Sequence, residues 1–205
     1  TVKAARALPF KFNSTLDVIP SGGILSFAGN ELLRTRFTKP IGSLVMRDRF
    51  DMSLVEIARK SGTKIAEQVT FFDYQQDEFC LTVRTNLGEL QTHFIVGADG
   101  VNSRVARSAG LLSKRKTGIA IEAELDVPPF ALDAQDSYAT FDFGATKFGY
   151  GWIFPKGDHF SAGIFSTRTS ARVLDARALE KFIKSHAVLG ESRIRLWRGH
   201  RIPLG

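Results

Sequence analysis

The chain has 205 residues and a formal net charge of +7, with 43% hydrophobic and 24% charged residues. That balance belongs to a folded globular protein and excludes disordered, collagen-like and low-complexity classes. A chain of this length buries roughly 70% of the surface its unfolded form exposes, enough for one large core or two smaller ones. A single cysteine, Cys80, excludes an intramolecular disulfide and zinc sites built on several cysteines, and makes a reducing compartment the default. The longest apolar stretches, such as residues 94–98, fall far short of the ~20 residues that cross a bilayer, and no apolar signal core followed by small residues opens the chain. The expectation is a soluble, cytoplasmic protein, or at most one that rests on a membrane surface. The positive charge suits nucleic acid, anionic lipid or an anionic small molecule and does not choose among them.

In chain order, residues 1–8 hold good helix formers and read as a short helix entered in mid-element. Residues 24–27 and 32–37 are strand-like runs joined by Gly29-Asn30, whose tolerance of positive φ predicts an antiparallel hairpin. Residues 47–62 predict a helix. Phe50, Leu54, Ile57 and Ala58 share a face, Asp48 or Asp51 suits the first turn, and Arg59-Lys60 before Gly62 suits the negative end and a left-handed residue beyond it. Residues 64–71 then read as a strand, and Phe79, Leu81 and Val83 alternate with Cys80, Thr82 and Arg84 as a half-buried one. Asn86-Leu87-Gly88 turns the chain into a partner strand over 90–98, whose last five residues are apolar without alternation, as for a strand covered on both faces.

The polar, basic segment 112–116 is the best candidate boundary. Beyond it Ile119, Ile121, Ala123, Leu125 and Val127 alternate, residues 138–143 and 149–154 are aromatic strands, and 160–165 follow the Lys156-Gly157-Asp158 turn. An amphipathic helix over 175–187, with Leu179, Phe182 and Ile183 on one face, precedes a strand at 193–198. The second half is therefore predicted to be mainly antiparallel sheet, and the whole an α/β (α+β) chain.

Residues 96–107 carry the most chemistry. A strand delivers Asp99-Gly100 to its carboxyl edge, Asn102 or Ser103 caps a short helix, and unpaired N–H groups face the place where an anionic ligand would sit. On geometry alone, Asp99 serves either that ligand or its own turn. Tyr150, Trp152 and Phe154 share one side of a strand at period two, which paves an apolar slot or fills a sheet core. His93, His159, His186 and His200 lie far apart without metal-ligand spacing, so no metal site is expected. Arg193, Arg195, Arg198 and Arg201 form a basic run that suits a solvated strand face or an anionic headgroup, and no pattern of a nucleic-acid module appears.

These segments carry a resemblance. Residues 96–107 resemble the Asp-Gly fingerprint of the flavoprotein hydroxylase superfamily, in which the aspartate lies near the FAD diphosphate and the glycine permits close approach. Arg47 with Phe50-Asp51-Met52-Ser53-Leu54 is similar to the Arg-x-x-Phe-Asp-x-x-Leu segment of the same enzymes, whose arginine contacts FAD, and Val69 falls where they pass the adenine. Tyr150-Gly151-Trp152-Ile153-Phe154-Pro155 resembles the Tyr-x-Trp-x-Phe-Pro motif of geranylgeranyl reductases, flavoproteins that saturate double bonds of isoprenoid chains.

The resemblance implies FAD held by Arg47, Val69, Asp99 and Gly100, an isoprenoid or other apolar substrate on Tyr150, Trp152, Phe154 and Pro155, and NADPH or another reductant as electron donor. It leaves the catalytic residue unassigned, and an apolar substrate is compatible with peripheral contact at a membrane. Residues 41–112 would be part of an FAD-binding domain, and 1–40 with 113–205 a discontinuous substrate-side sheet. Other branches, an aromatic monooxygenase or an electron-transfer-type dehydrogenase, and a stand-alone lipid-binding module are the alternatives. The superfamily's Gly-x-Gly-x-x-Gly and Gly-Asp-Ala segments are absent from the 205 residues, which therefore read as the middle of a longer enzyme, inactive by itself. Without that phosphate cradle the isolated chain is expected to bind FAD weakly or not at all; a micromolar dissociation constant on titration of the purified chain contradicts this.

Overall fold

The computed structural model describes residues 18–111, 116–168 and 174–204. The helix expected at 1–8 and most of the boundary at 112–116 lie outside the described residues. In chain order the elements begin β1 (Gly22–Phe27), β2 (Asn30–Arg36), α1 (Arg47–Lys60), β3 (Phe71–Gln76), β4 (Leu81–Thr85), β5 (Gly88–Thr92) and α2 (Arg104–Ser108). They continue as β6 (Lys116–Asp126), α3 (Pro129–Gln135), β7 (Tyr138–Asp142), β8 (Gly149–Pro155), β9 (Phe160–Ser166), α4 (Ala176–Lys184), a 3-10 turn (Ala187–Leu189) and β10 (Arg193–Leu204). The chain divides into two compact units. One takes Thr117–Ile202 with the described residues up to Ile57, and the other takes Ala58–Lys116.

The first unit is built on a seven-stranded sheet in the order β10-β6-β9-β8-β7-β1-β2. The defined registers are antiparallel except for β1 and β7, which run parallel. Because side chains alternate across a strand, register sorts this sheet into two faces. One row crosses it as Ile24, Thr140, Ile153, Ala162 and Ala123, and the adjacent row as Leu25, Phe141, Trp152, Gly163 and Glu122.

The first of these faces is covered by helices. Leu125, Ile153, Phe160, Ala162 and Ile164 pack with Ala131 of α3, Leu179, Phe182 and Ile183 of α4, and Leu189. Each large apolar side chain so buried contributes about 1.5–3 kcal/mol. Helix α4 starts where the Asp175 carboxylate accepts the Ala178 N–H at 2.8 Å, and its apolar face is the one expected over 175–187, although the α-helix stops at Lys184. Helix α3 was not expected; Pro128-Pro129 marks its start.

A buried carboxylate joins the distant segments of this face. Asp142, at the end of β7, is fully buried and accepts Ser26 Oγ at 3.1 Å, Ala28 N–H at 3.0 Å, Gly29 N–H at 2.7 Å and Gly144 N–H at 2.8 Å. Burial alone would raise its pKa; the donors from Gly29, Gly144, Ser26 and Ala28 outweigh that and hold it below its ordinary value. The hairpin turn is consequently made by Ala28 and Gly29, at φ 52° and 85°, one residue earlier than the expected Gly29-Asn30. A Cβ on Gly29 would lie 2.3 Å from the Ser185 carbonyl oxygen, so only glycine fits.

The second unit has a three-stranded antiparallel sheet in the order β3-β4-β5, with α2 against β3. Its described buried residues are Val83 and Ser103. Three expectations change here. The strand expected at 64–71 begins only at Phe71, because the Asn86 side chain takes the backbone of Gln68 and Thr70 (3.1 and 2.6 Å) and Gln68 sits at φ 58°. Phe79 is 82% exposed and precedes β4, because the Asp77 carboxylate draws the Phe79 and Cys80 N–H groups into a turn. Residues 94–98 are not a strand covered on both faces. Phe94 and Val96 are each 85% exposed, and no described strand supplies the ladder that such a segment requires. Helix α1 forms where expected, with Gly62 beyond it at φ 89°, but its apolar face is only half-buried.

Two expected outcomes follow from the first unit. Asp142→Ala leaves three partly buried N–H groups and a buried hydroxyl without this acceptor, and is expected to cost about 3 kcal/mol by chemical denaturation. Since the folded-state pKa is depressed, the wild-type contribution is complete above the ordinary value of 3.8 and disappears as pH falls through the lower folded value, so the gap between wild type and variant should close in acid. Gly163→Ala places a Cβ 2.2 Å from Trp152 Cζ2 and is expected to destabilise by about 1–3 kcal/mol with a shift in Trp fluorescence.

Candidate functional site

Arg47 opens α1 and belongs to the first unit. Its guanidinium bridges Asp51 one turn on, with Nε to Oδ1 at 3.0 Å and Nη2 to Oδ2 at 2.8 Å, and the side chain stays 78% exposed. Of the two carboxylates expected to suit this turn, Asp51 is thus the partner of Arg47, while Asp48 accepts the Arg49 N–H at 2.9 Å. Val69, Asp99 and Gly100 belong to the second unit. Val69 is half-buried, its two flanking residues clamped by Asn86.

Asp99 is exposed and spends its carboxylate locally. It accepts the Ser103 hydroxyl, the Arg104 N–H at 2.6 Å and the Val105 N–H at 3.3 Å, while Ser103 Oγ accepts the Ala106 N–H at 2.9 Å. The Ser103 hydroxyl above all, then the two amides, lower the Asp99 pKa against a smaller opposing effect of burial. Gly100 follows at φ 81°, and a Cβ there would meet nothing within 4 Å. The turn is therefore rigid and open above its glycine.

The aromatic residues occupy the other face of the large sheet from its helices. Tyr150, Trp152 and Phe154 follow one another with ring centroids 6.2 Å apart at each step. Phe141 joins Tyr150 and Phe154 at 6.1 and 5.4 Å, and Phe165 and Phe143 join Tyr150 at 5.6 and 6.4 Å. These tilted and edge-on contacts suit aromatic quadrupoles and give one continuous strip. Gly163 lies opposite Trp152 and receives its indole, which is why the strand has glycine there. Pro155 alternates to the helix-covered side with Gly151 and Ile153 and is buried, so it does not belong to the strip.

A charged border that the sequence reading did not single out lies beside this strip. Glu122 is opposite Gly163 and Glu124 opposite Ser161, the residue opposite Phe154, so both glutamates continue the aromatic rows. His159, 1% exposed, stands between Asp158 Oδ1 at 2.6 Å from Nδ1 and Glu124 Oε2 at 3.2 Å from Nε2. From β10, Arg198 Nη1 approaches Glu124 at 3.7 Å, His200 Nε2 approaches Glu122 at 3.2 Å, and Arg195 Nε donates to Asp126 at 2.9 Å. The basic run thus meets the carboxylates of β6. Burial, foremost, raises the Glu124 pKa, and Glu122 adds to it; His159 and Lys156 pull the other way without reversing it. The signal available in the sequence was two glutamates interrupting an apolar alternating strand. Among the described residues no group of His, Cys, Asp and Glu is arranged to hold a metal ion.

The family described as "FAD binding domain" matches residues 26–185. A digeranylgeranylglycerophospholipid reductase of Methanocaldococcus jannaschii is 31% identical over 174 residues, covering 82% of this chain and 44% of that protein. The crystal structure of a geranylgeranyl bacteriochlorophyll reductase-like protein from Thermoplasma acidophilum superposes with a TM-score of 0.78 at 20% identity, over 98% of this chain and 54% of that one. A halogenase PltM structure in complex with phloroglucinol and FAD gives a TM-score of 0.67 at 14% identity, over 90% of this chain and 43% of that one. Both structural likenesses bear on the fold. The chain spans about half the length of the curated relatives it matches. With the family match across most of its length, the chain belongs to the FAD binding domain family.

Proposed function

We propose that the protein carrying this chain is an FAD-dependent oxidoreductase that saturates double bonds of an isoprenoid chain, and that the chain lies along the strip of Tyr150, Trp152 and Phe154. The observation that carries this reading is the strip itself. These large aromatics lie on the sheet face away from the helix-packed core, in unbroken contact along the strand. A polyisoprenoid has only dispersion and desolvation to offer a protein, so a paved apolar surface several side chains long is the recognition element it needs.

In the second unit, Gly100 leaves open space over a turn that the Asp99 carboxylate braces, which suits close approach of the FAD diphosphate. In the first, the Arg47 guanidinium, exposed and bridged to Asp51, is the group that would meet a phosphate. Asp99, committed to Ser103, Arg104 and Val105, would act on the cofactor by fixing the Gly100 turn. Bound and reduced, FAD supplies hydride, and NADPH or another reductant restores it. A lipid substrate would be met at a membrane surface, and no helix among the described residues is long and apolar enough to cross one.

Incubating the FAD-loaded, reduced protein with a geranylgeranyl lipid should add a hydride and a proton to each double bond attacked, read as a mass increase of the lipid. Oxygen-dependent gain of oxygen mass would support the monooxygenase alternative and overturn this reading. Phe154→Ala, at a half-buried position, is expected to raise KM about tenfold with a smaller change in kcat, because it removes apolar contact common to ground and transition states.

A further inference from the structure

We propose that Glu124 is the acid that supplies the proton for this reduction, with His159 as the reserve that recharges it and Asp158 as the group that orients His159. The inference rests on the reading of the aromatic strip as the place of the isoprenoid.

Saturating a double bond takes a hydride at one carbon and a proton at the other. The hydride comes from reduced flavin. The proton must come from a group that keeps it near neutral pH and faces the same surface as the substrate. Glu124 faces that surface, and its surroundings shift it toward the protonated form. It continues the row of Phe154 across Ser161, on the face that bears the strip, and only that small residue stands between them in the row. Two strand spacings put its backbone about 10 Å from that of Phe154, so its side chain borders the strip along which the isoprenoid is proposed to lie. It is 6% exposed, and burial raises its pKa.

The step balances within named groups. Glu124 Oε–H breaks as a C–H bond forms at the second alkene carbon, and the electron pair remains on the carboxylate. The Nε2 proton of the His159 imidazolium, 3.2 Å from Glu124 Oε2, then passes to that carboxylate. The neutral ring regains a proton from water between turnovers. With Nδ1–H directed to Asp158 Oδ1 at 2.6 Å, Nε2 is left to face Glu124. The other charges facing the pair are Glu122, Lys156, Arg198 at 3.7 Å from Glu124, and Arg195 at 3.8 Å from Asp158; His200 is engaged with Glu122. A solely structural ion pair would not require the acid to lie on the aromatic face or to be held toward its neutral form.

Two measurements on the FAD-loaded protein that carries this chain test the inference. Infrared spectroscopy with labelled glutamate should show a carboxylic-acid carbonyl band that persists above the pH at which an ordinary glutamic acid ionises, and that band should be missing from Glu124→Gln. Lack of the band in wild type overturns the inference whatever the activity. In turnover, Glu124→Gln should lose about 100-fold in kcat, with flavin reduction and KM preserved and partial rescue by Glu124→Asp. Asp158→Asn, which removes the carboxylate that orients His159, should lower kcat about tenfold with KM and flavin reduction preserved. An active wild type matched within twofold of its kcat by Glu124→Gln, or by Asp158→Asn, overturns the assignment of these residues alone; a wild type that saturates no isoprenoid overturns it together with the reading of the strip.

Discussion

The Asp142 carboxylate is the constraint on which the first unit depends. A fully buried charge survives only when donors replace its water, and here they come from β1, from the turn after β1 and from the turn after β7. One consequence is local. Ala28 sits in the left-handed region at a cost of about 1 kcal/mol for a residue with a Cβ, and its N–H hydrogen bond to Asp142 helps hold it there. The other is global, because the β1-β2 hairpin is fixed to the sheet along its parallel pairing with β7. His186 packs against the Phe182 ring at 4.6 Å, and its Nδ1 lies 3.0 Å from the Phe182 carbonyl oxygen; its Nε2 stands 3.2 Å from Asp142 Oδ2, at ion-pair distance but out of line for a hydrogen bond.

With the strands pinned in register, the two faces of the sheet are free to differ. The helix-covered face is aliphatic and closed, and its small strand residues make room for helices: a Cβ on Gly151 would reach the Phe182 ring at 2.4 Å. The other face is aromatic and grades into acids. Moving across the strands from Phe141 through Trp152 and Gly163 to Glu122, the surface passes from dispersion to charge within four positions. That gradient suits a substrate that is apolar along its length and needs a proton at one bond. On the proposed reading FAD would supply the redox chemistry, and the sheet would supply orientation and the environment of the acid.

Much of this was legible from local patterns. Period-two alternation located β6 to β9, and the spacing of Leu179, Phe182 and Ile183 located α4, because both signals depend on burial within the same unit. What escaped depends on partners distant in the chain. The donors of Asp142 lie more than 110 residues away, apart from Gly144, so its buried charge could not be read from its surroundings in sequence. Nothing in the alternation of its strand marks Glu124 as buried; the packing of His159 and Arg198 shows it. Residues 94–98 illustrate the reverse. Their apolar run pointed to a strand covered on both faces, but β5 ends at Thr92 and Phe94 and Val96 stand exposed. Of the expected contacts, Asp99 turned out to organise its own turn, one of the two uses its position allowed, and Pro155 fell on the wrong side of its strand by parity.

The location of the isoprenoid is the claim that most directly joins the sheet to the chemistry, and photo-crosslinking addresses it without reference to turnover. A geranylgeranyl lipid carrying a diazirine in its chain, irradiated with the FAD-loaded protein and mapped by mass spectrometry of the digested product, should label Tyr150, Trp152, Phe154 and their neighbours Phe141 and Phe165. Label confined to the helix-covered side, at α3 or α4, or spread evenly over the surface would show that the aromatic strip does not hold the chain.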